Sequence, residues 1–288
     1  MSVLTRPSRI GLVLFLVLSC SLPVRAENDA RDYPAELAAL RTEFVKVVRR
    51  SEAPELLAGT VLSYTARAWA LGVQRLAERY HRPAEKRELE NRVRSYLHRL
   101  DSARRPEDRQ ALSMELLYDS LESMAGLLAA RRRNRFTGAE IRSVAEKVEQ
   151  SLDEDRSTGF RLVTLGHGCL SLLALSIQTL DSSGQFSDQI NMEMNLRVGR
   201  TREIRKRKDL HNQGRYFLMA QSNFRGCFNL VCLFNLAWNP RSAPEVESIK
   251  ASLERHLTGK DRPARNMILI LTALAEASFP AAMSLASK

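Results

Sequence analysis

The 288-residue chain is poor in cysteine and in aromatic side chains, with four cysteines, two tryptophans and an aromatic fraction of 6%. So few thiols cannot staple a chain of this length, and none stands in the paired C-x-x-C spacing of a structural zinc site. The sequence contains no H-E-x-x-H, no G-x-S-x-G, no C-x-x-C-H and no N-glycosylation sequon, which excludes the corresponding metalloprotease, hydrolase and haem-attachment signatures. Runs of alternating β-branched residues are missing, so strands are expected to be absent or marginal. Helix starts near Pro54, Pro83 and Pro106 are unequally spaced and no motif recurs among them, which argues against a tetratricopeptide-type array and leaves an irregular helical stack.

What is present begins with the first 26 residues. Arg6 and Arg9 precede an apolar run from Ile10 to Leu18, and Pro23 and the small Ala26 precede Glu27-Asn28-Asp29. This is the layout of a secretory signal with cleavage after Val24-Arg25-Ala26, so residues 1–26 are set aside from the fold, and a periplasmic or extracellular protein is expected. Val17-Leu18-Ser19-Cys20 competes with that site as a bacterial lipobox, in which Cys20 carries a lipid and ties the protein to a membrane face. Residues 27–34 read as a loosely attached start.

The charge is one-sided. Removing Arg6, Arg9 and Arg25 from the 44 Lys and Arg leaves 41 against 33 acidic residues, a net charge of about +8. Such a field draws an anionic envelope polymer, a lipid surface or an acidic protein without choosing among them, and export argues against nucleic acid.

Periodicity is helical almost throughout. Leu57, Val61, Tyr64, Ala68 and Leu71 form one apolar stripe; Leu89, Val93, Tyr96 and Leu100 a second; Leu117, Leu121, Met124 and Leu128 a third; Ile141, Val144, Val148 and Leu152 a fourth. Pro54, Pro83, Pro106, Pro244 and Pro263 stand where first helical turns begin, and Thr137 with Glu140 and Ser242 with Glu245 have capping-box spacing. The second half is more apolar. Leu162–Leu180, Tyr216–Trp238 and Asn266–Ala286 read as central helices, with a membrane-embedded arrangement as the alternative. Their polar residues favour a protein interior, because buried polar groups need partners that lipid does not offer.

The expected fold is therefore all-α, an irregular multi-helix bundle of about eight helices with apolar central helices. An amphipathic region, 27–156, sheathes a more apolar region, 157–288, the two packing as one domain. Leu173 and Leu233 are expected in its core.

The densest basic run, Arg197, Arg200, Arg202, Arg205, Lys206, Arg207 and Lys208, is the candidate anion-contact surface, although its members point in several directions on a helix. A shorter run, Arg131, Arg132, Arg133 and Arg135, is accounted for by a helix end. Cys227 and Cys232 stand about 140° apart on one helix and cannot pair, whereas Cys169 can bridge to either; small buried hydrophobes are the alternative for all three. His167 and Cys169, with Asp153 and Asp155, are the residues from which an enzyme site would have to be assembled. However, His167 and Cys169 point about 200° apart, and a hydrogen-bonded core histidine is the simpler reading. Thr258-Gly259-Lys260 lacks the upstream glycine of a phosphate loop. No metal site and no cofactor is expected. The leading reading is an exported binding or scaffold protein with an anionic partner.

The N-terminus carries its own test. Intact mass and N-terminal sequencing of the protein from its native host are expected to give Glu27 as the first residue; a lipid-modified Cys20 moves the cut to the lipobox, and an intact Met1 removes the export reading.

Overall fold

The computed structural model describes residues 31–50, 54–80, 83–132, 135–155, 157–257 and 262–287. The segment 1–26 read as a secretory signal, with the expected cleavage after Ala26 and the competing lipobox reading at Cys20, lies outside these residues, as do Arg133 and Thr258-Gly259-Lys260. From Tyr33 onward the chain forms one contact unit.

Among the described residues there are ten α-helices and no strand: α1 (Tyr33–Arg50), α2 (Pro54–Tyr80), α3 (Pro83–Ser102), α4 (Pro106–Arg131), α5 (Arg135–Glu154), α6 (Thr158–Leu180), α7 (Ser187–Arg205), α8 (Asn212–Trp238), α9 (Ala243–His256) and α10 (Pro263–Ser287). Four helices begin on a proline, and Pro244 is the second residue of α9. A first-turn proline gives up an N–H that has no partner in the helix anyway, so each such residue starts a helix at no cost. The two capping boxes do not form. Thr137 lies inside α5, which begins two residues earlier, and the Ser242 hydroxyl donates to the Asn239 carbonyl at 2.7 Å within a short 3-10 turn, Pro240–Ser242. Tyr33 and Pro34 are not a loose start but the first turn of α1, with Tyr33 buried and its hydroxyl donating to Glu78 at 3.0 Å.

The bundle is more regular than the sequence led us to expect. α2 packs on α4, α4 on α6, α6 on α8, α8 on α10, and α10 returns to α2, so the even-numbered helices close a ring. Each odd-numbered helix lies against two neighbouring ring helices: α1 on α10 and α2, α3 on α2 and α4, α5 on α4 and α6, α7 on α6 and α8, and α9 on α8 and α10. Ring helices run parallel, since their contacts keep a constant register. Asn223 donates to the Val163 carbonyl and the Cys227 thiol to that of Gly166, while Gln221 reaches the Pro263 carbonyl and Asn235 that of Ala277. Five helical hairpins thus repeat around one core. Ring helices start 52, 52, 54 and 51 residues apart, a period that spans two helices and is invisible to a comparison of successive ones. The sheath is accordingly not the first half of the chain, because α2 and α4 belong to the ring.

Closure is made by small residues. A Cβ placed on Gly72 of α2 would lie 3.0 Å from the Ala282 backbone of α10, so glycine is what lets these helices meet. Beside it the Trp69 indole donates to the Ser278 hydroxyl at 3.0 Å, and Trp69 also meets Phe234 of α8 edge-on at 5.6 Å. α6 and α10 have the length and composition to cross a bilayer, and 61% and 72% of their most apolar stretches are buried against other helices. Ser176, Thr179 and Ser278 donate to carbonyls four residues earlier on their own helices, so these hydroxyls are satisfied without any partner helix.

Leu173 is buried, whereas Leu233 is only half-buried. Leu173→Ala is therefore expected to cost about 2–5 kcal/mol in denaturant unfolding and Leu233→Ala distinctly less; equal losses would contradict this packing.

Candidate functional site

α7 carries few apolar residues, and only Ile190, Glu193, Arg197 and Ile204 of it are buried. Two of those four are charged. Arg197 donates from Nε to Glu193 at 2.6 Å and from Nη1 to the Ser222 carbonyl and hydroxyl at 3.3 Å, while Asn229 donates to the second Glu193 oxygen at 2.9 Å. Every one of these partners outside α7 belongs to α8. A Cβ on Gly226 of α8 would come within 3.1 Å of the Arg197 stem and 2.4 Å of Leu170, so glycine allows this close stacking. Arg197 therefore does not belong to an anion-contact surface, because its guanidinium is spent on Glu193 with 8% of the side chain exposed.

Because α7 leans on α8 and only grazes α6, a hollow of about 410 Å³ opens between α5, α6 and α7. Its exposed lining is basic: Lys147 from α5, His167 from α6, Arg202 and Arg205 from α7. Its less exposed lining is apolar, from Val144, Val148, Phe160 and Val163, with Val198 at the edge. Hydroxyls of Ser151, Thr164, Ser171 and Thr201 complete the wall, and no Asp or Glu lines it. Lys147, Arg202 and Arg205 have no carboxylate within ion-pair distance among the described residues. The other basic positions differ. Arg200 is held by Glu203 at 2.8 Å, and Arg207 by Asp209; Lys206 and Lys208 lie exposed past the end of α7. A larger hollow of about 480 Å³ on the opposite flank of α7 also has no Asp or Glu in its lining. Of its arginines, Arg197, which lines both hollows, and Arg200 are neutralised by Glu193 and Glu203. Arg225 is exposed with no carboxylate within ion-pair distance among the described residues, one such cation against three in the smaller hollow.

His167 is an exposed residue of this hollow, not a hydrogen-bonded core histidine, and its ring has no hydrogen-bond partner among the described residues. Shielding by the surrounding wall first, and the Arg205 charge second, hold its pKa below the ordinary 6.5. Cys169 faces the other way, fully buried beside Cys227. All three described cysteines are unbridged and buried. Burial pushes the Cys227 and Cys232 thiols up to about 12 and that of Cys169 well above its usual range, so none is a thiolate near neutrality. Asp153 is exposed at the end of α5, and Asp155 accepts from the Ser157 backbone N–H at 2.7 Å and the Tyr216 hydroxyl at 3.2 Å. The Ser157 bonds, ahead of Tyr216, lower the Asp155 pKa, as in a turn that caps the next helix. No three of His, Cys, Asp and Glu converge as metal ligands among the described residues.

The smaller hollow thus unites His167, Arg202 and Arg205, with Arg197, held by Glu193, also in its lining, and leaves Cys169, Asp153 and Asp155 outside it. Lys147 and Asn223, which the sequence reading did not single out, complete it. Lys147 stands three residues after Val144 on the edge of an apolar stripe, and Asn223 interrupts an apolar helix. Compared with family models, characterised proteins and solved structures, the chain matches none.

NMR titration of the His167 ring is expected to give a midpoint below 6.5. Arg205→Ala should raise it only in part, since shielding is the larger cause. As pH falls through 6.5 the unfolded chain binds the proton that the folded ring resists, so this residue's contribution lowers stability on acidification. A midpoint above 6.5 would contradict the site as described.

Proposed function

We propose that the protein is an exported helical binding protein of the cell envelope whose partner is anionic. The single observation that supports this most strongly is the gathering of Lys147, Arg202 and Arg205 around one hollow that no carboxylate lines. Lys206 and Lys208 are exposed just beyond α7. Arg202 and Arg205 also lie in the last turn of α7, where the helix dipole favours cations, so the fold tolerates them without a ligand and leaves them available to one. The reading of an enzyme built on His167, Cys169, Asp153 and Asp155 has less support, since the thiol is sealed in the core and both aspartates stand elsewhere. A membrane-embedded component likewise has less support, given how much of α6 and α10 other helices cover.

Charge reversal tests the proposal. Arg202→Glu, Arg205→Glu and Lys206→Glu together are expected to weaken binding to anionic vesicles, each lost cation counting for about 1 kcal/mol near such a surface, and the binding should fall as salt rises. Reversal of Arg87, Arg94 and Arg104, which are exposed elsewhere, is the control for net charge. Arg92 is unsuitable for that purpose because it stands 3.6 Å from Asp119. Equal weakening by both triple variants, with unfolding temperatures unchanged, would overturn the proposed surface.

A further inference from the structure

We infer that the hollow between α5, α6 and α7 binds a single-chain amphiphilic anion, an anionic head group carrying one alkyl tail. The inference rests on the proposed binding role and names the ligand class. A bare anion or a polyanion needs only the cations. Neither accounts for the apolar part of the lining, where Val144, Val148, Phe160 and Val163 leave surface that an alkyl tail would cover. At about 410 Å³ the hollow is of the size that small-molecule sites have.

Asn223, 2% exposed, belongs to the inner wall, its Nδ2 donating to the Val163 carbonyl at 3.0 Å. The head group is met at the mouth instead, by the cations Lys147, Arg202 and Arg205.

The test is titration calorimetry with dodecyl phosphate below its micellar concentration, beside dodecanol and inorganic phosphate, on the intact protein and two variants. Val198→Glu places a carboxylate on the edge of the hollow, and Met192→Glu adds the same charge to the same helix outside it. Both positions are solvent-exposed, at 38% and 67%, so both variants are expected to fold, which thermal unfolding checks. We expect saturable one-to-one binding of dodecyl phosphate, at least about tenfold tighter than either half-ligand, since burying a few methylenes suffices for that factor. Val198→Glu should weaken it about tenfold or more and Met192→Glu hardly at all. Inorganic phosphate binding as tightly, equal losses in the two variants, or no saturable binding would each overturn the inference. If dodecyl phosphate fails while salt-dependent vesicle binding persists, the ligand class falls and the binding role stands; if both fail, both fall.

Discussion

The whole arrangement depends on α10 coming back to α2. Trp69 and Ser278, which this contact joins by a hydrogen bond, are 209 residues apart in sequence, and Gly72 faces Ala282 in the same seam. Until that seam forms, α2 and α10 each present an apolar flank with nothing to cover it. The four other ring contacts are made between helices that are near neighbours in the chain and close short loops, while this one closes nearly the whole chain, so it carries the largest loop-closure cost. It is met with tight packing and a satisfied indole rather than with charge. The outer helices then have preformed furrows to lie in, each between two ring helices.

Within that frame α7 is the exception, because its buried face is half ionic. Glu193 and Arg197 are both almost fully withdrawn from water, and such a pair holds only if its remaining donors and acceptors are met. Here Ser222 and Asn229 meet them, which pins α7 to one register on α8. Removing one partner of a pair of this kind typically costs about 3–5 kcal/mol, whereas exchanging both for well-packed apolar residues is often neutral. The pair is thus better understood as a positioning device than as a source of stability. It draws α7 toward α8 and away from α5, and the hollow is the space left behind.

How much of this could be read in the sequence differs from feature to feature. The prolines at 54, 83, 106 and 263 marked helix starts correctly, because a missing N–H has only one comfortable place in a helix. The apolar stripes marked faces correctly, but a stripe says that a face is buried and not against what, so the ring and its period of two helices stayed hidden. Ser242 had the right spacing for a cap and the wrong backbone, since it ends a 3-10 turn with helical torsions. Arg197 was grouped with its neighbours in a run of like charge, although Glu193 four residues before it was the visible hint of a pair. Of the hollow, the basic residues of α7 were legible as charge and His167 only as a member of a different candidate site or of the core. Their meeting with Lys147 and Asn223 was not, because it depends on where α7 stands between two helices far from it in the chain.

The three core thiols have a consequence in time. Packed, they are out of reach of oxidants, but Cys227 and Cys232 are five residues apart, and on an uncoiled chain nothing keeps them from joining. A chain so bridged cannot wind α8, whose turns hold the two positions about 140° apart, and without α8 the helices α6 and α10 each lose one of their two ring neighbours. In an oxidising compartment the yield of native protein is therefore set by a race. Disulfides form in seconds to hours, so a chain that buries α8 sooner than that escapes the bridge and a chain held unfolded does not. The same cysteines that are inert in the finished structure make delay, rather than exposure, the hazard during its assembly.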